Sequence, residues 1–325
     1  MPDFTKEHAL NAVIALGLLV VPLWAYFAGE IFTITLFTRI TILALAGVGL
    51  NIALGLGGMV SFGHAVYFGA GGYAAGILAQ HAFNGAPLLG LSGSNQMLVI
   101  WLVAMAVSGL LAAVIGAFSL RTSGIFFIMI TLAFAQMFYY FAISWPAYGG
   151  EDGLPIYVRN QFPGLNTMRP LELFLICWGV LMAGLALFAT LRASRFGAAL
   201  MAIRQNPDRV ASLGINPFGI KLAAFVISGM VTGLAGALMA DLSRFASPAG
   251  MAWTMSGELI VIIILGGTGR LFGPVVGAAF LVGFEVFFGG LTEHWKLWLG
   301  VVLLAAVLFG RGGIVGLIAG RERFG

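Results

Sequence analysis

The chain has 325 residues, 60% of them hydrophobic and only 9% charged, with a formal net charge of +4 and a mean hydropathy of +1.03. Soluble domains carry roughly 25% charged residues, so this chain holds too few to cover a water-facing surface. Disorder needs low hydrophobicity and high charge and is excluded as well, which leaves an all-α, polytopic membrane protein.

Apolar runs punctuated by polar or Gly/Pro clusters fall at residues 9–28, 34–56, 60–81, 97–118, 123–144, 172–192, 219–240, 257–269, 273–291 and 295–310. A helix needs about 20 residues to cross a hydrocarbon core of about 30 Å, so the pattern predicts about ten membrane segments in one domain, 1–325. The first run follows Lys6, but it is too long for a signal peptide and Ala25-Tyr26-Phe27-Ala28 is not an A-x-A cleavage site. It is expected to be a retained helix. The eighth run is too short to span alone. With the ninth it reads as a broken or re-entrant pair around Gly266, Gly267, Gly269, Gly273 and Pro274, which is tolerated where such backbone is buried in protein or lines a cavity.

Alternation from an inside N-terminus puts Lys6, Arg121, Arg192, Arg195, Arg204, Arg209, Lys221, Arg270, Arg311, Arg321 and Arg323 inside. Arg39, Arg159, Arg169, Arg244 and Lys296 then fall outside. This obeys the positive-inside bias and puts both termini in the cytoplasm. The pI near 9.5 therefore reflects topology. No basic stripe interleaved with aromatics points to nucleic acid. Two loops are long: 145–171, extracytoplasmic, and 193–218, cytoplasmic.

Rare residue types exclude several chemistries. Cys177 is the one cysteine, so no intrachain disulfide or cysteine-rich metal site is available. His8, His64, His81 and His294 never approach metalloprotease spacing, and none of Lys6, Lys221 and Lys296 lies between Gly and Ser or Thr, so there is no Walker A loop. No metal site and no cofactor are expected on this chain. Gly69-x-Gly71-x-x-Ala74 and Gly266-Gly267-Thr268-Gly269 imitate nucleotide loops, but neither follows a strand. Close helix packing is the better account of these stretches and of Gly72-x-x-x-Gly76, Gly229-x-x-x-Gly233 and Gly269-x-x-x-Gly273-x-x-x-Gly277.

The cytoplasmic loop carries the strongest local signal. Asn206 is an N-cap, Pro207 a good first helical residue, and Asp208 favours the first turn. Leu213-Gly214 marks a helix end with a C′ glycine, and Asn216-Pro217 starts the next span. A short helix at about 207–213 is expected, presenting Val210, Leu213 and Ile215 without a core of their own. Its functional reading is a docking element for a cytoplasmic partner, and the plainer reading is a charged topology anchor. Polar groups at membrane depth are functional suspects. Asn51, Ser61, His64, Gln136, Glu258 and Glu285 are candidates for a translocation path. Ser61 and His64 are expected on one helical face continued by Gly71 and Ala75, Glu258 at the opening of its half-helix, and Glu285 paired to a neighbouring helix. Interhelical hydrogen bonding that only fixes packing is the alternative for each.

The stretch Arg195-Phe196-Gly197 through Ala202, Arg204, Asn206-Pro207-Asp208-Arg209, Ser212, Leu213, Gly214 and Ile215 resembles the coupling loop of ABC-importer permeases, in the variant of the branched-chain amino acid permeases. Gly49-Leu50-Asn51 through Ser61-Phe62-Gly63-His64, and Gly124-Ile125-Phe126-Phe127 followed by Gly149-Gly150-Glu151-Asp152-Gly153, are similar to the M-type subunit of that family. Glu258 through Gly266-Gly267 and Gly273-Pro274-Val275-Val276-Gly277 complete the pattern, and Glu151 departs from the small residue expected there. The resemblance implies a heteromeric importer in a bacterial inner membrane. It implies a second, H-type permease, two cytoplasmic ATPases that hold ATP and Mg, and an extracytoplasmic binding protein. A permease for urea or short amides shares these signatures. A secondary transporter coupled through Glu285 and His64 is a rival of another class. An intramembrane enzyme is disfavoured, because no His/Asp/Glu cluster supports hydrolysis.

Overall fold

A computed structural model describes residues 2–85, 87, 93–292, 294–309 and 312–319. Arg311, Arg321 and Arg323 of the inside charge count lie outside the described residues. The helices are α1 (Pro2–Ala28), α2 (Ile31–Asn51), α3 (His64–Asn84), α4 (Met97–Ser119), α5 (Ile125–Ile143), α6 (Pro170–Ala193), α7 (Arg195–Gln205), α8 (Pro207–Ser212), α9 (Pro217–Ser243), α10 (Trp253–Gly266), α11 (Gly273–Gly289), α12 (Trp295–Phe309) and α13 (Gly313–Ala319). Two-residue strands β1 (Leu154–Pro155) and β2 (Phe245–Ala246) pair antiparallel, Leu154 opposite Ala246. Among the described residues, six segments are long and apolar enough to cross a bilayer: 11–28, 31–56, 97–119, 125–143, 170–193 and 217–243. With the 21 residues of α3 and the shorter apolar helices α10 to α12, each expected run falls mainly on a helix.

Local chemistry sets many of the boundaries. Pro170, Pro207 and Pro217 each occupy the first helical position, where the missing N–H costs nothing. α2 ends in a π-helical turn at Ile52–Leu56, and an irregular stretch follows, so α3 begins at His64 and not at residue 60. α10 begins at Trp253, four residues earlier than the sequence pattern indicates. α10 and α11 have 14 and 17 residues, so they are about 21 and 26 Å long and short of a full crossing. They pack together as a broken hairpin.

α9 is the hub and packs against α2, α3 and α4. Glycines permit the contact: a Cβ on Gly71 would occupy the place of the Gly233 carbonyl, and one on Gly236 that of the Phe68 carbonyl. Gly229 packs on Ala112, where a Cβ would come within 2.6 Å of that methyl. Within the hairpin, Gly266, Gly273 and Gly277 abut backbone carbonyls in the same way, whereas Gly269 holds a turn at φ +78. The expected packing role of the glycine-rich stretches therefore holds for all of these except Gly269. Gly72 has ordinary room.

Residues 145–171 fold against the end of α9. The buried Asn160 side chain donates to Asp241, Thr167 donates to the Asn160 carbonyl at 2.7 Å, and Arg159 to the Thr167 carbonyl at 2.6 Å. Burial, followed by the nearby Arg244, pulls the Arg159 pKa below its ordinary value. Glu151 is exposed on a 3₁₀ turn. Tyr157 is 70% exposed on this loop and Leu213 is 76% exposed on the other. Single cysteines at these two positions, in a Cys177→Ala background, are expected to react with a membrane-impermeant maleimide from opposite sides. Labelling from the same side would mean that an odd number of spans has been misassigned.

Candidate coupling element and intramembrane polar centre

The 193–218 loop is a helical hairpin. Ser194 caps α7 by accepting from Gly197 N–H at 3.1 Å, a helix the sequence pattern did not single out. Asn206 caps α8 by accepting from Arg209 N–H at 3.0 Å, and Asn216 caps α9 by accepting from Phe218 N–H at 3.0 Å. Asp208 lies in the first turn of α8, and Ser212 donates to the Arg209 carbonyl at 2.8 Å. The helix ends at Ser212 with Leu213 as its C-cap, and Gly214 follows at φ +83 in open space, as a C′ residue should. Leu213 and Ile215 are exposed, as expected, as are Arg195 and Ala202. Val210 corrects the expectation: it is buried, because α8 touches both α7 and α9.

This hairpin is tied to the spans at two points. Gly197 lies against the end of α6, where any Cβ would strike the Leu191 carbonyl. Arg204 Nη1 donates to the Gly55 carbonyl in the π-helical turn at 2.7 Å, with its stem over Gly58. From there the contacts continue through Asn51, which is fully buried. Its Oδ1 accepts from Gly269 N–H at 2.9 Å and its Nδ2 donates to the Arg270 carbonyl at 3.0 Å. Asn51 thus joins α2 to the turn between α10 and α11.

A second group surrounds His64. Ser228 of α9 donates to the Gly49 carbonyl at 2.6 Å and lies 2.7 Å from His64 Nε2. A hydroxyl has one proton, so Ser228 accepts from His64, whose proton is on Nε2. Nδ1 has no partner among the described residues. Tyr67 and Phe225 meet the imidazole edge-on, with centroids at 5.3 and 5.5 Å. Ser256 of α10 accepts from Ala65 N–H at 2.9 Å and donates to the Phe62 carbonyl at 2.6 Å.

One expectation is corrected here. Ser61 precedes α3 and accepts from Gly63 N–H at 3.1 Å, so it shares no helical face with His64. His64, Gly71 and Ala75 are buried, and Gly71 lies against the α9 backbone. Gln136 is half-buried on α5 and joins neither group.

The other candidate charges lie on α2, α10 and α11. Arg39, counted outside, lies within α2 and pairs with Glu285 of α11 at 2.8 Å. The expected helix partner of Glu285 is therefore Arg39. Glu258 is in the second turn of α10 and does not open the helix, so the helix dipole does not account for it. Sequence reasoning missed Ser228, Ser256 and Arg39 as members of these groups. A serine within an apolar run that already holds a small-residue stripe is the available signal for Ser228.

A model of the family described as branched-chain amino acid transport system / permease component matches residues 32–310. The chain belongs to this family. It is an all-α, polytopic membrane permease. The high-affinity branched-chain amino acid transport system permease protein LivM of Escherichia coli K12 is 26% identical to it over 305 residues, 85% of this chain and 68% of the relative. A probable branched-chain amino acid transport permease protein LivH of Methanocaldococcus jannaschii is 26% identical over 160 residues, 45% of this chain and 48% of the relative. An autoinducer 2 import system permease protein LsrC of Photorhabdus laumondii is 27% identical over 166 residues, 49% of each chain. No solved structure matches the chain.

Proposed function

We propose that this permease is the M-type transmembrane subunit of an ATP-driven importer for branched-chain or related hydrophobic amino acids, in a bacterial inner membrane. It works with an H-type permease, two ATPases on its cytoplasmic hairpin and an extracytoplasmic binding protein. The carrying observation is the Arg204–Gly55 bond: a partner that moves α8 also moves the end of α2, and through Asn51 the α10–α11 turn. That is the connection alternating access requires, because coupling needs an element whose position both sites bias. An ion-coupled transporter has less support, since His64 is bonded to Ser228 and Glu285 to Arg39.

The test is reconstitution of the complex in proteoliposomes. Leucine uptake is expected to need ATP and to be indifferent to proton and sodium gradients, with urea failing to compete. The purified chain alone is expected to bind no ATP. Gradient-driven uptake by this chain alone would overturn the reading. Nucleotide binding lost on changing Gly266 and Gly267 would overturn their packing role as well.

A further inference from the structure

Asp241 is the one carboxylate of α9, and it is buried. It lies near the end of the helix and accepts from the Asn160 side chain of the 145–171 loop, which is itself fully buried. Each member of this pair has one oxygen left over. Asp241 Oδ2 and Asn160 Oδ1 both have no hydrogen-bond partner among the described residues. The neighbouring cation, Arg159, bonds neither of them: its Nη1 donates to the Thr167 carbonyl, and its Nε is buried without a partner.

Two acceptors that lack a donor, one on each side of a bonded pair, are what an unassigned proton leaves behind. An ionised carboxylate only accepts, whereas a carboxylic acid also donates one O–H. With a proton on Oδ2, Asp241 donates to Asn160 Oδ1 while its Oδ1 accepts from Asn160 Nδ2. Acid and amide then close a ring in which both oxygens of each group are used. Ionised, the same pair buries a charge with one oxygen bare, and a group so placed neutralises instead.

We infer that Asp241 carries a proton in this structure, and that its acid–amide pair with Asn160 is a pH-sensitive latch fastening the 145–171 loop to α9. The surrounding groups supply the released state. Arg159 and Cys177 of α6 are within electrostatic reach of Asp241, and Arg244 is within reach of Arg159. α3 carries Tyr73 and His81 towards this end, and α4 has no charged residue. On ionising, Asp241 draws Arg159 away from the Thr167 carbonyl. Thr167 holds the Asn160 carbonyl at 2.7 Å, so the loop loosens with it. The latch responds to pH at the loop and not to a gradient, and it stands apart from the energy source of transport.

The full chain in nanodiscs tests both parts. At mildly acidic pH, the infrared difference between the parent and Asp241→Asn is expected to contain a carboxylic-acid C=O band. A carboxylate band in its place overturns the proton. Ile156 is 4% exposed within the loop and Tyr157 is 70% exposed, which makes them a probe and its reference. With single cysteines on a Cys177→Ala background, the maleimide rate at Ile156→Cys relative to Tyr157→Cys is expected to rise at least about fivefold from mildly acidic to mildly alkaline pH. In Asp241→Asn the ratio is expected to stay low and flat, because an amide donates and accepts as the acid does. A flat ratio in the parent, or the same rise in Asp241→Asn, overturns the latch. The parent's own acid band is expected to fade over the pH range in which the ratio rises, a result that needs no Asp241 variant to fold, and a band that persists while the loop opens overturns the assignment.

Discussion

Gly71→Ala is expected to prevent stable assembly of the permease, while Gly72→Ala, one residue away, is expected to leave it intact. The Gly233 carbonyl of α9 occupies the place where a Cβ on Gly71 would project, and backbone does not swing aside as a side chain can. Relief requires α3 and α9 to separate, and α9 is the hub on which α2 and α4 also pack. Overpacking of this kind costs about 3 kcal/mol or more. The gain in helix propensity from Gly to Ala is only about 1 kcal/mol. At Gly72 the nearest atom would be 3.4 Å away, an ordinary contact. Fluorescence-detected size exclusion in detergent, with a heating series, reads both variants. Gly71→Ala should aggregate or melt far below the parent, and Gly72→Ala should match it or exceed it. Equal melting of the two would mean that α3 and α9 do not approach as described.

The second large effect is expected at Gly214, where Val should uncouple transport without loss of the protein from the membrane. Gly214 closes α8 at φ +83, and a Cβ there would meet nothing within 4 Å, so the penalty of substitution is conformational and not steric crowding. A left-handed residue other than glycine costs roughly 1–2 kcal/mol, and a β-branched one is a genuine outlier there. Six residues of helix, held by the caps at Asn206 and Leu213, have little to resist that strain. The end of α8 should fray and carry Leu213 and Ile215 out of position. In the proposed complex these are the exposed apolar contacts for an ATPase. Insertion and expression should be normal, with uptake and substrate-stimulated ATP hydrolysis both sharply reduced. Gly214→Asn is the control, since Asn tolerates the conformation and should keep most activity. Val and Asn behaving alike would refute the role of the left-handed cap.

Gly71 and Gly214 serve different parts of one chain of contacts. In the proposed complex α8 receives the partner, Gly197 fixes α7 to α6, and Arg204 carries the hairpin to Gly55, Asn51 and the α10–α11 turn. A defect at Gly214 leaves that chain built but poorly gripped, whereas a defect at Gly71 removes the bundle on which it is mounted.

The sequence by itself determined whatever depends on neighbouring residues or on composition. Scarce charge and long apolar runs established an all-α membrane protein, because a bilayer accepts only backbone that satisfies its own hydrogen bonds. Asn206-Pro207, Leu213-Gly214 and Asn216-Pro217 placed the short helix α8, because capping is an interaction over two or three residues. Tertiary structure alone decided where the polar groups went. α3 starts at His64, with Ser256 of α10 bonded to Phe62 and Ala65 across its first turn, so Ser61 left the face it was expected to share. Val210 went inside because α8 contacts α7 and α9. Arg39 and Glu285 met although nothing near either residue names its partner. In an apolar bundle helix periodicity is nearly silent, since both lipid and core accept the same side chains, and only the packed fold says which buried group faces which.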